Sequence, residues 1–284
     1  MLREGMANQN LRSDPGLNAV DENHATLSEA SFSAVSRELS GVRLGAGCRA
    51  RLAPPQEIET RYFAELTSLK NHLDLARIEP RHVIQHYFPG HLVSDLLRQL
   101  ELHKHFKDTD KITSARLRRE TQGGGSSYSI EFKSPKTGGR LGKVSRIEIG
   151  IPLSSELYDR ILRRCSAGML EKLRYEVQGT VLDERAGCSL PLTAQVDVLV
   201  KAGRNGQRIA ANFATIDIEL SSKHLLRSLR NGLHSFGFLE DACVELTLLP
   251  GKLRDGLSAR HVAKNGIGPA ERRIIRKLSE MCPG

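Results

Sequence analysis

Pairs of charged or polar residues spaced two apart recur through the middle of the chain. These residue types could bind anions and metals. Two of the pairs are acidic, Glu57/Glu59 and Asp217/Glu219. The other five pairs are Arg116/Arg118, Glu131/Lys133, Arg146/Glu148, Lys172/Arg174 and Gln195/Asp197. On a β-strand, residues i and i+2 point to the same face of the sheet. The spacing therefore predicts strands with one charged face, which together would line a polar lumen for an anion and a metal.

The cations of this pattern suit a ligand with several linked phosphates. Arginine guanidinium groups bind phosphate oxygens in a bidentate fashion, and lysine supplies a compact point charge. Buried charges are costly unless they are paired or bind ions, so many converging cations predict an anionic ligand. The predicted cationic set is Arg61, Arg116, Arg118, Lys133, Arg146, Lys172 and Arg174.

The two acidic pairs lie at opposite ends of the predicted strand region. Closure of a barrel would place its first and last strands side by side and bring the four carboxylates together. Carboxylates in such a group repel each other unless a hard cation lies between them, and Mg²⁺ or Mn²⁺ suits oxygen ligands. With a triphosphate held by the cations, a metal would polarise the terminal phosphoryl group and orient an attacking water.

Eight short segments with alternating polar and apolar residues are candidate strands. For example, Ile216, Ile218 and Leu220 would face away from Asp217 and Glu219. Glycine-rich connectors such as TQGGGSS favour antiparallel neighbours. The fold expected is α+β and mainly antiparallel, an eight-stranded closed β-barrel with a polar lumen and flanking helices. The eight segments are EIETRYF, HVIQHYF, SARLRRE, YSIEFKS, VSRIEIGI, EKLRYEVQ, TAQVDVLV and TIDIEL.

Composition divides the chain into three parts. Residues 1–53 are rich in polar residues without a sustained period, which predicts disorder. Residues 54–222 hold the strands, and residues 223–284 predict a helical extension that packs on the barrel. Apolar residues at helical spacing predict helices over 66–76, 92–102, 154–164 and 270–280, with a further one near Leu225.

Overall composition narrows the class of protein further. The net charge of +9 favours anionic partners. No apolar run approaches the roughly 20 residues of a membrane span, and the first residues lack the apolar core of a signal peptide, so a cytoplasmic location is expected. Five cysteines without a CxxC spacing predict reduced thiols and argue against a zinc site.

Taken in order, these motifs resemble the CYTH superfamily, the triphosphate tunnel metalloenzymes, over about residues 55–222. The family's E-x-E-x-K signature reads Glu57-Ile-Glu59-Thr-Arg61 here. The resemblance implies a metal-dependent activity on triphosphates in an eight-stranded tunnel. It implies metal ligation by Glu57, Glu59, Asp197, Asp217 and Glu219, phosphate binding by Arg116, Arg118, Lys133, Arg146, Lys172 and Arg174, and catalysis by Arg61, Lys133 and Arg174.

Three residues depart from the family pattern. Arg61 replaces the signature lysine, and because arginine does not deprotonate it can position phosphate or water without serving as a general base. Gln195 stands where an acid is common, and Asp217 is shorter than the usual glutamate.

Several functions remain open at this point. We expect hydrolysis of inorganic triphosphate or a related triphosphate, including thiamine triphosphate or an RNA 5′-triphosphate. An adenylate cyclase could use the same site, and a non-catalytic module could bind polyphosphate or nucleic acid. The acidic pairs favour the enzyme, because a pure anion binder has no use for carboxylates in its groove. A P-loop NTPase is disfavoured, because Gly142-Lys143 is followed by Val144 rather than serine or threonine.

Overall fold

The computed structural model describes residues 58–105, 109–134, 148–164, 168–210 and 212–283. The predicted disordered segment 1–53 therefore lies outside the described residues. The same is true of two predicted site residues, Glu57 and Arg146.

A single antiparallel sheet with helices on its outer side forms the described part of the chain, so the α+β class is confirmed. All eight predicted segments coincide with strands in their described parts, and residues 57 and 144–147 of two of them lie outside the described residues. Two further short strands, β8 and β10, were not predicted. The strands are β1 (Ile58–Glu65), β2 (Arg81–Tyr87), β3 (Ser114–Gln122), β4 (Gly125–Lys133), β5 (Glu148–Pro152), β6 (Gly168–Asp183), β7 (Cys188–Gly203), β8 (Gln207–Arg208), β9 (Phe213–Leu220) and β10 (Cys243–Glu245).

The order of the described strands corrects the expectation of a closed eight-stranded barrel. The order is β10-β1-β9-β7-β6-β2-β3-β4-β5, with β8 paired to β7, so the sheet has β10 and β5 at its two edges. The edge of β1 that could have received β5 is instead paired with β10, through Tyr62 opposite Glu245. The first and last predicted strands are nevertheless neighbours, because β1 pairs with β9 along its whole length.

The hairpin of β6 and β7 is longer than its sequence pattern indicated. Each strand has 16 residues, and they remain paired out to Asp183 and Cys188. A register shift between Glu171 and Lys172 interrupts the pairing near the start of β6. Such a bulge bends a strand and increases its twist, and this one lies beside the charged residues of β6.

Nine α-helices are present in the described residues. Four of the predicted helices are found with slightly different ends, and the region near Leu225 is helical as expected. Three short helices after residue 236 were missed. The helices are α1 (Leu66–His72), α2 (Gly90–Gln99), α3 (Leu102–His105), α4 (Ser155–Arg164), α5 (Lys223–Arg230), α6 (Gly237–Ala242), α7 (Gly251–Asp255), α8 (Ala259–Asn265) and α9 (Pro269–Ser279). In this described part, no helix has the length and apolar character needed to cross a membrane.

Local chemistry explains where the C-terminal helices begin and end. The Ser222 hydroxyl accepts a hydrogen bond from the Leu225 N–H at the start of α5, and Ser258 does the same at α8. Helix α8 ends at Gly266, whose φ of 70° favours glycine. Helix α9 begins with Pro269, and the Glu271 carboxylate accepts from the preceding Gly268 N–H at 2.9 Å.

The apolar face of the sheet is covered by helices in two clusters. One combines β1, β7 and β9 with α5 and α6, and it includes Ile218 and Leu229. The other combines β3, β4 and β5 with α2 and α4, and it includes Ile130 and Ile161. Full burial of each such aliphatic side chain contributes about 1.5–3 kcal/mol. These clusters therefore determine which face of each strand packs against the helices and which face is left for the polar residues.

A third apolar cluster lies on the opposite face of the sheet, called here the inner face, next to the charged residues. Phe63 of β1 stacks on Phe213 of β9 with ring centroids 5.6 Å apart, and Leu257 and Val262 from the C-terminal region pack with them. Helix α8 approaches β6 so closely that a Cβ at Gly168 would clash with the Ala263 carbonyl oxygen. The C-terminal helices therefore form an apolar floor beneath the polar part of the inner face.

Candidate functional site

The charged residues of the strands converge on one cavity of about 790 Å³ on the inner face of the sheet. Its described lining contains eight cationic and seven acidic side chains, so their formal charges nearly cancel. The cations are Arg61, Arg81, Arg116, Arg118, Lys133, Lys172, Arg174 and Arg260, and the acids are Glu59, Glu120, Glu131, Glu148, Asp197, Asp217 and Glu219.

Two walls of opposite charge make up this lining. The first wall is formed by β1, β9, β7 and β6, and the second wall by β2, β3, β4 and β5. The charged residues of the first wall are Glu59, Arg61, Lys172, Arg174, Asp197, Asp217 and Glu219, a formal charge of −1. Those of the second wall are Arg81, Arg116, Arg118, Glu120, Glu131, Lys133 and Glu148, a formal charge of +1.

Glu59 of the first acidic pair lies beside the second pair, Asp217 and Glu219, in the first wall, while its predicted partner Glu57 lies outside the described residues. Glu59 lies directly opposite Glu219, and Arg61 lies opposite Asp217. Arg61 donates from Nη2 to Asp217 Oδ2 at 2.8 Å and from Nε to Asp217 Oδ1, and its Nη2 also lies 3.3 Å from Glu59 Oε1. Asp217 is the main cause of a raised pKa for Arg61. Burial would raise the pKa of Asp217, but the Arg61 charge and hydrogen bonds hold it below its usual value.

The deeper carboxylate of the first wall, Asp197, is held by two cations of the neighbouring strand β6. Arg174 donates to its two oxygens at 2.7 and 2.8 Å, and Lys172 Nζ also donates to Oδ2. Burial would raise the pKa of Asp197, yet these two cations lower it. Burial, assisted by the nearby Arg174 charge, lowers the pKa of Lys172 to about 8 despite its carboxylate partner.

The second wall is organised around one carboxylate shared by two arginines of β3. Arg116 Nε donates to Glu131 Oε2 at 2.7 Å, and Arg118 Nη1 donates to Glu131 Oε1 at 3.0 Å. Arg118 also pairs with Glu120 through Nη2. The positive charges of Arg116 and Arg118 outweigh burial and lower the pKa of Glu131 to about 2. Within the described ranges, Arg118 Nε is the one buried side-chain nitrogen or oxygen without a hydrogen-bond partner.

Strand β2 extends this network with polar residues that sequence reasoning missed. Arg116 Nη1 donates to the Tyr87 hydroxyl at 3.0 Å, and that hydroxyl donates to Gln85 Oε1 at 3.1 Å. Gln85 is only 2% exposed, although it is polar. Arg81, Gln85 and Tyr87 all line the cavity, and their even spacings of four and two, which put them on one face of the strand, were visible in the sequence.

Further lining residues come from β4, β5 and the C-terminal region. Ser127 and Ser129 of β4 face the cavity beside Glu131, and Lys133 at the end of β4 donates to Glu148 Oε1 at 2.9 Å. Ser258 and Arg260, near the start of α8, also reach the lining. Long-range packing of the C-terminal helices places these last two, which local sequence periodicity does not reveal.

The predicted metal ligands fit a divalent cation only in part. Glu59 and Glu219 are cross-strand neighbours that line the cavity, and their oxygens are the donor type that Mg²⁺ and Mn²⁺ prefer. Both oxygens of Asp217 accept from Arg61, and both oxygens of Asp197 accept from Lys172 or Arg174. Among the residues that the structure describes, no group of three or more histidine, cysteine, aspartate or glutamate side chains is arranged to hold a metal ion.

Comparison with known proteins finds only distant similarity. No protein-family model matches the chain. No curated protein sequence matches it either. Among solved structures, the PH1819 protein from Pyrococcus horikoshii OT3 is 14% identical, with 62% of this chain and 85% of that chain covered and a TM-score of 0.34. The inorganic triphosphatase NE1496 is also 14% identical to this chain. The match covers 73% of this chain and 93% of that chain, with a TM-score of 0.35. A conserved hypothetical protein from Pyrococcus furiosus, Pfu-838710-001, is 13% identical to this chain. The match covers 61% of this chain and 84% of that chain, with a TM-score of 0.32. Scores this low leave the chemistry of the site to be judged from its own residues.

Proposed function

We propose that this chain is a metal-dependent phosphohydrolase that binds the phosphates of a triphosphate against the second wall of the cavity. The observation that carries the proposal is the buried Arg118 Nε, which has no partner in a wall that already holds Arg116 and Lys133. A buried N–H without an acceptor is costly, and a phosphate oxygen is a natural acceptor for a guanidinium. The ordered motifs that resemble the CYTH superfamily support the same proposal.

The proposed role of the second wall is electrostatic. Arg116, Arg118 and Lys133 bind the phosphate oxygens, with Arg146 as a further predicted contact. These fixed cations stabilise the negative charge that is redistributed over the transferring phosphoryl group in the transition state. Because the Glu131 carboxylate already orients both arginines of β3, they need little reorganisation when the phosphates bind.

In the proposed mechanism, Glu59 and Glu219 of the first wall would hold a divalent cation, with Glu57 as a third predicted ligand. Such a cation would neutralise phosphate charge and polarise the phosphoryl group. Arg61 remains protonated and orients Asp217, so it does not act as the general base. Lys172 and Arg174 hold Asp197 in place, and Arg174 also lines a second, smaller pocket together with Arg81 of β2.

Phosphate release from tripolyphosphate, ATP and thiamine triphosphate, with Mg²⁺ or Mn²⁺, tests the proposal. Glu59→Gln should lower the metal-stimulated rate by about 10²-fold or more, a loss similar to that of other electrostatic transition-state contacts. The matched control is Glu65→Gln on the same strand, since Glu65 accepts a hydrogen bond from Asn212 and does not line the cavity. Equal losses in the two variants, with both folded, would contradict the assignment of Glu59.

The alternatives predict different outcomes of the same experiment. An adenylate cyclase would convert ATP to cyclic AMP and pyrophosphate and leave tripolyphosphate intact. A non-catalytic module would bind tripolyphosphate without metal and turn over none of the substrates.

A further inference from the structure

We infer that the second, smaller pocket beside the cavity binds the organic group of the substrate, and that this substrate is a nucleoside triphosphate. The inference rests on the proposed function in one respect, namely that the phosphates bind against the second wall of the cavity. It concerns where the rest of the substrate lies, and it does not depend on which carboxylates hold a metal.

The second pocket adjoins the cavity near the start of β2. It has a volume of about 360 Å³, and Arg81 and Arg174 line both the pocket and the cavity. A ligand that fills part of the cavity can therefore extend into the pocket past these two arginines. The other residues that line the pocket are Arg77, Ile78, Glu79, Gln122, Glu176 and Gln178.

Two strands lead from the cavity to this pocket with the same order of side chains. The two series are Arg118, Glu120 and Gln122 on β3, and Arg174, Glu176 and Gln178 on β6. Their spacing of two puts each series on one face of its strand. Strand β2 lies between β3 and β6, and Arg81 on β2 is 2.9 Å from Glu176 and 3.7 Å from Glu120. Each series therefore passes from an arginine through a paired carboxylate to an amide at the pocket.

The pocket lies on the side of the cavity away from the apolar floor. On β6, helix α8 packs against Gly168 at the first residue of the strand, whereas Gln178 is ten residues further along. Leu257 and Val262 of the floor line the cavity at that first end. A triphosphate bound at Arg118 would therefore extend its organic group away from the floor and towards the second pocket.

The charged groups of the pocket already have partners. The arginine pairs are Arg77 with Asp74, Arg81 with Glu176, and Arg174 with Asp197. The remaining acid, Glu79, accepts a hydrogen bond from the Gly123 N–H at 3.0 Å. A further charged ligand would have to compete with these partners, so the pocket suits an uncharged polar group better than another phosphate.

Two amides supply hydrogen-bonding groups for such a ligand. Gln122 and Gln178 are both exposed, and the Thr193 hydroxyl positions Gln178 by donating to its Oε1 at 2.9 Å. A carboxamide carries a donor and an acceptor side by side, and the edge of a nucleobase presents the complementary pair. Half-buried Ile78 adds an apolar surface for the face of the ring. These features together favour a nucleoside as the organic group.

The ratio of kcat/KM for nucleoside triphosphates to kcat/KM for tripolyphosphate tests the inference. The proteins compared are the wild type, Gln122→Leu, Gln178→Leu and the double variant, with ATP, GTP, CTP and UTP as substrates. Each single change should lower kcat/KM by about three- to tenfold for the nucleotide that the wild type uses best, which corresponds to the loss of one hydrogen bond. Both should leave kcat/KM for tripolyphosphate within about twofold of the wild type, because tripolyphosphate has no organic group.

Gln207→Leu is the matched control, because Gln207 lies on β8 and lines neither the cavity nor the second pocket. Its ratio should equal that of the wild type, and thermal unfolding checks that every variant folds. Two results would overturn the inference. One is an equal loss for tripolyphosphate and for nucleotides, and the other is a nucleotide rate that does not change in the double variant.

Calorimetry with the β,γ-imido analogue of ATP separates this inference from the proposed function. Weaker binding of the analogue by the double variant, in a protein that hydrolyses no triphosphate, would support the second pocket and contradict the hydrolase. Hydrolysis of tripolyphosphate by a wild type whose affinity for the analogue equals that of the double variant would support the hydrolase and overturn the inference.

Discussion

The two walls of the cavity hold their charges in different ways. In the first wall, Asp217 and Asp197 each have both oxygens engaged by cations on a neighbouring strand. In the second wall, a single carboxylate, Glu131, is shared between Arg116 and Arg118. The first wall therefore has an excess of acid, and the second wall has an excess of donors, including the buried Arg118 Nε.

This difference indicates how one sheet could bind a cation and an anion in the same cavity. Under the proposed function, a triphosphate against the second wall would meet the buried Arg118 Nε, and a metal would meet the carboxylates of Glu59 and Glu219 in the first wall. The following predictions test whether the two walls really differ in this way.

The largest effect on stability is expected where a clamped carboxylate of the first wall is removed. Asp197→Asn would leave two buried cations, Lys172 and Arg174, without their anion, and it should lower the free energy of unfolding by about 3–5 kcal/mol. The control is Asp95→Asn, which removes an exposed pair with Arg98 and should cost less than about 1 kcal/mol. Urea unfolding measures the free energy of unfolding of both variants. Similar losses in the two variants would show that the ion pairs of Asp197 contribute no more than an exposed pair.

The largest effect on activity is expected in the second wall. Arg118→Met removes the donor that has no internal partner, and it should lower kcat/KM for the triphosphate by about 10²–10³-fold. Arg119→Met is a matched control, because Arg119 has the same side chain on the same strand but does not line the cavity. If Arg118→Met left tripolyphosphate affinity and turnover unchanged, the phosphates would not bind at this wall.

The strands and the polar face could be predicted from sequence because both follow from local periodicity. The spacing of two in TIDIEL separates Asp217 and Glu219 from Ile216 and Ile218, and the structure keeps that separation, with Ile216 and Ile218 fully buried. The prediction that Glu59 and Glu219 are neighbours is also confirmed. Direct pairing of β1 with β9 brings them together, and closure of a barrel is not needed. The assignment of ligand roles to these residues stays a prediction.

The open sheet and the pairing inside the cavity could not be predicted because they depend on long-range contacts. Strand β10 is only three residues long and carries no periodicity, yet it occupies the second edge of β1. Likewise, the sequence around Arg61 does not indicate that its main hydrogen-bond partner is Asp217, which lies 156 residues away. The apolar floor depends on helix α8, which has too few residues for a clear helical pattern.

A pH-dependent effect is expected at the shared carboxylate of the second wall. The pKa of Glu131 falls from 4.5 to about 2 on folding, so its charge stabilises the folded protein above pH 4.5, and this contribution is lost as the pH falls towards 2. Glu131→Gln should therefore lower the free energy of unfolding by on the order of 3 kcal/mol at pH 7 and by progressively less below pH 5. Urea unfolding at pH 7, 5 and 3.5 measures this, and a difference that did not change with pH would contradict the role of Arg116 and Arg118.

The smallest effect is expected at the rim, where the second wall meets solvent. Arg81 is 28% exposed and pairs with Glu176, which is 39% exposed, at 2.9 Å. Arg81→Gln should cost less than about 1 kcal/mol of stability and raise the KM for triphosphate by only a few fold, because exposed pairs are weak. The KM effect should disappear at about 1 M salt, where the screening length is roughly 3 Å. A loss as large as that of Arg118→Met, or one that persists in high salt, would mean that phosphate binding extends to the rim and that the buried Arg118 donor is not its centre.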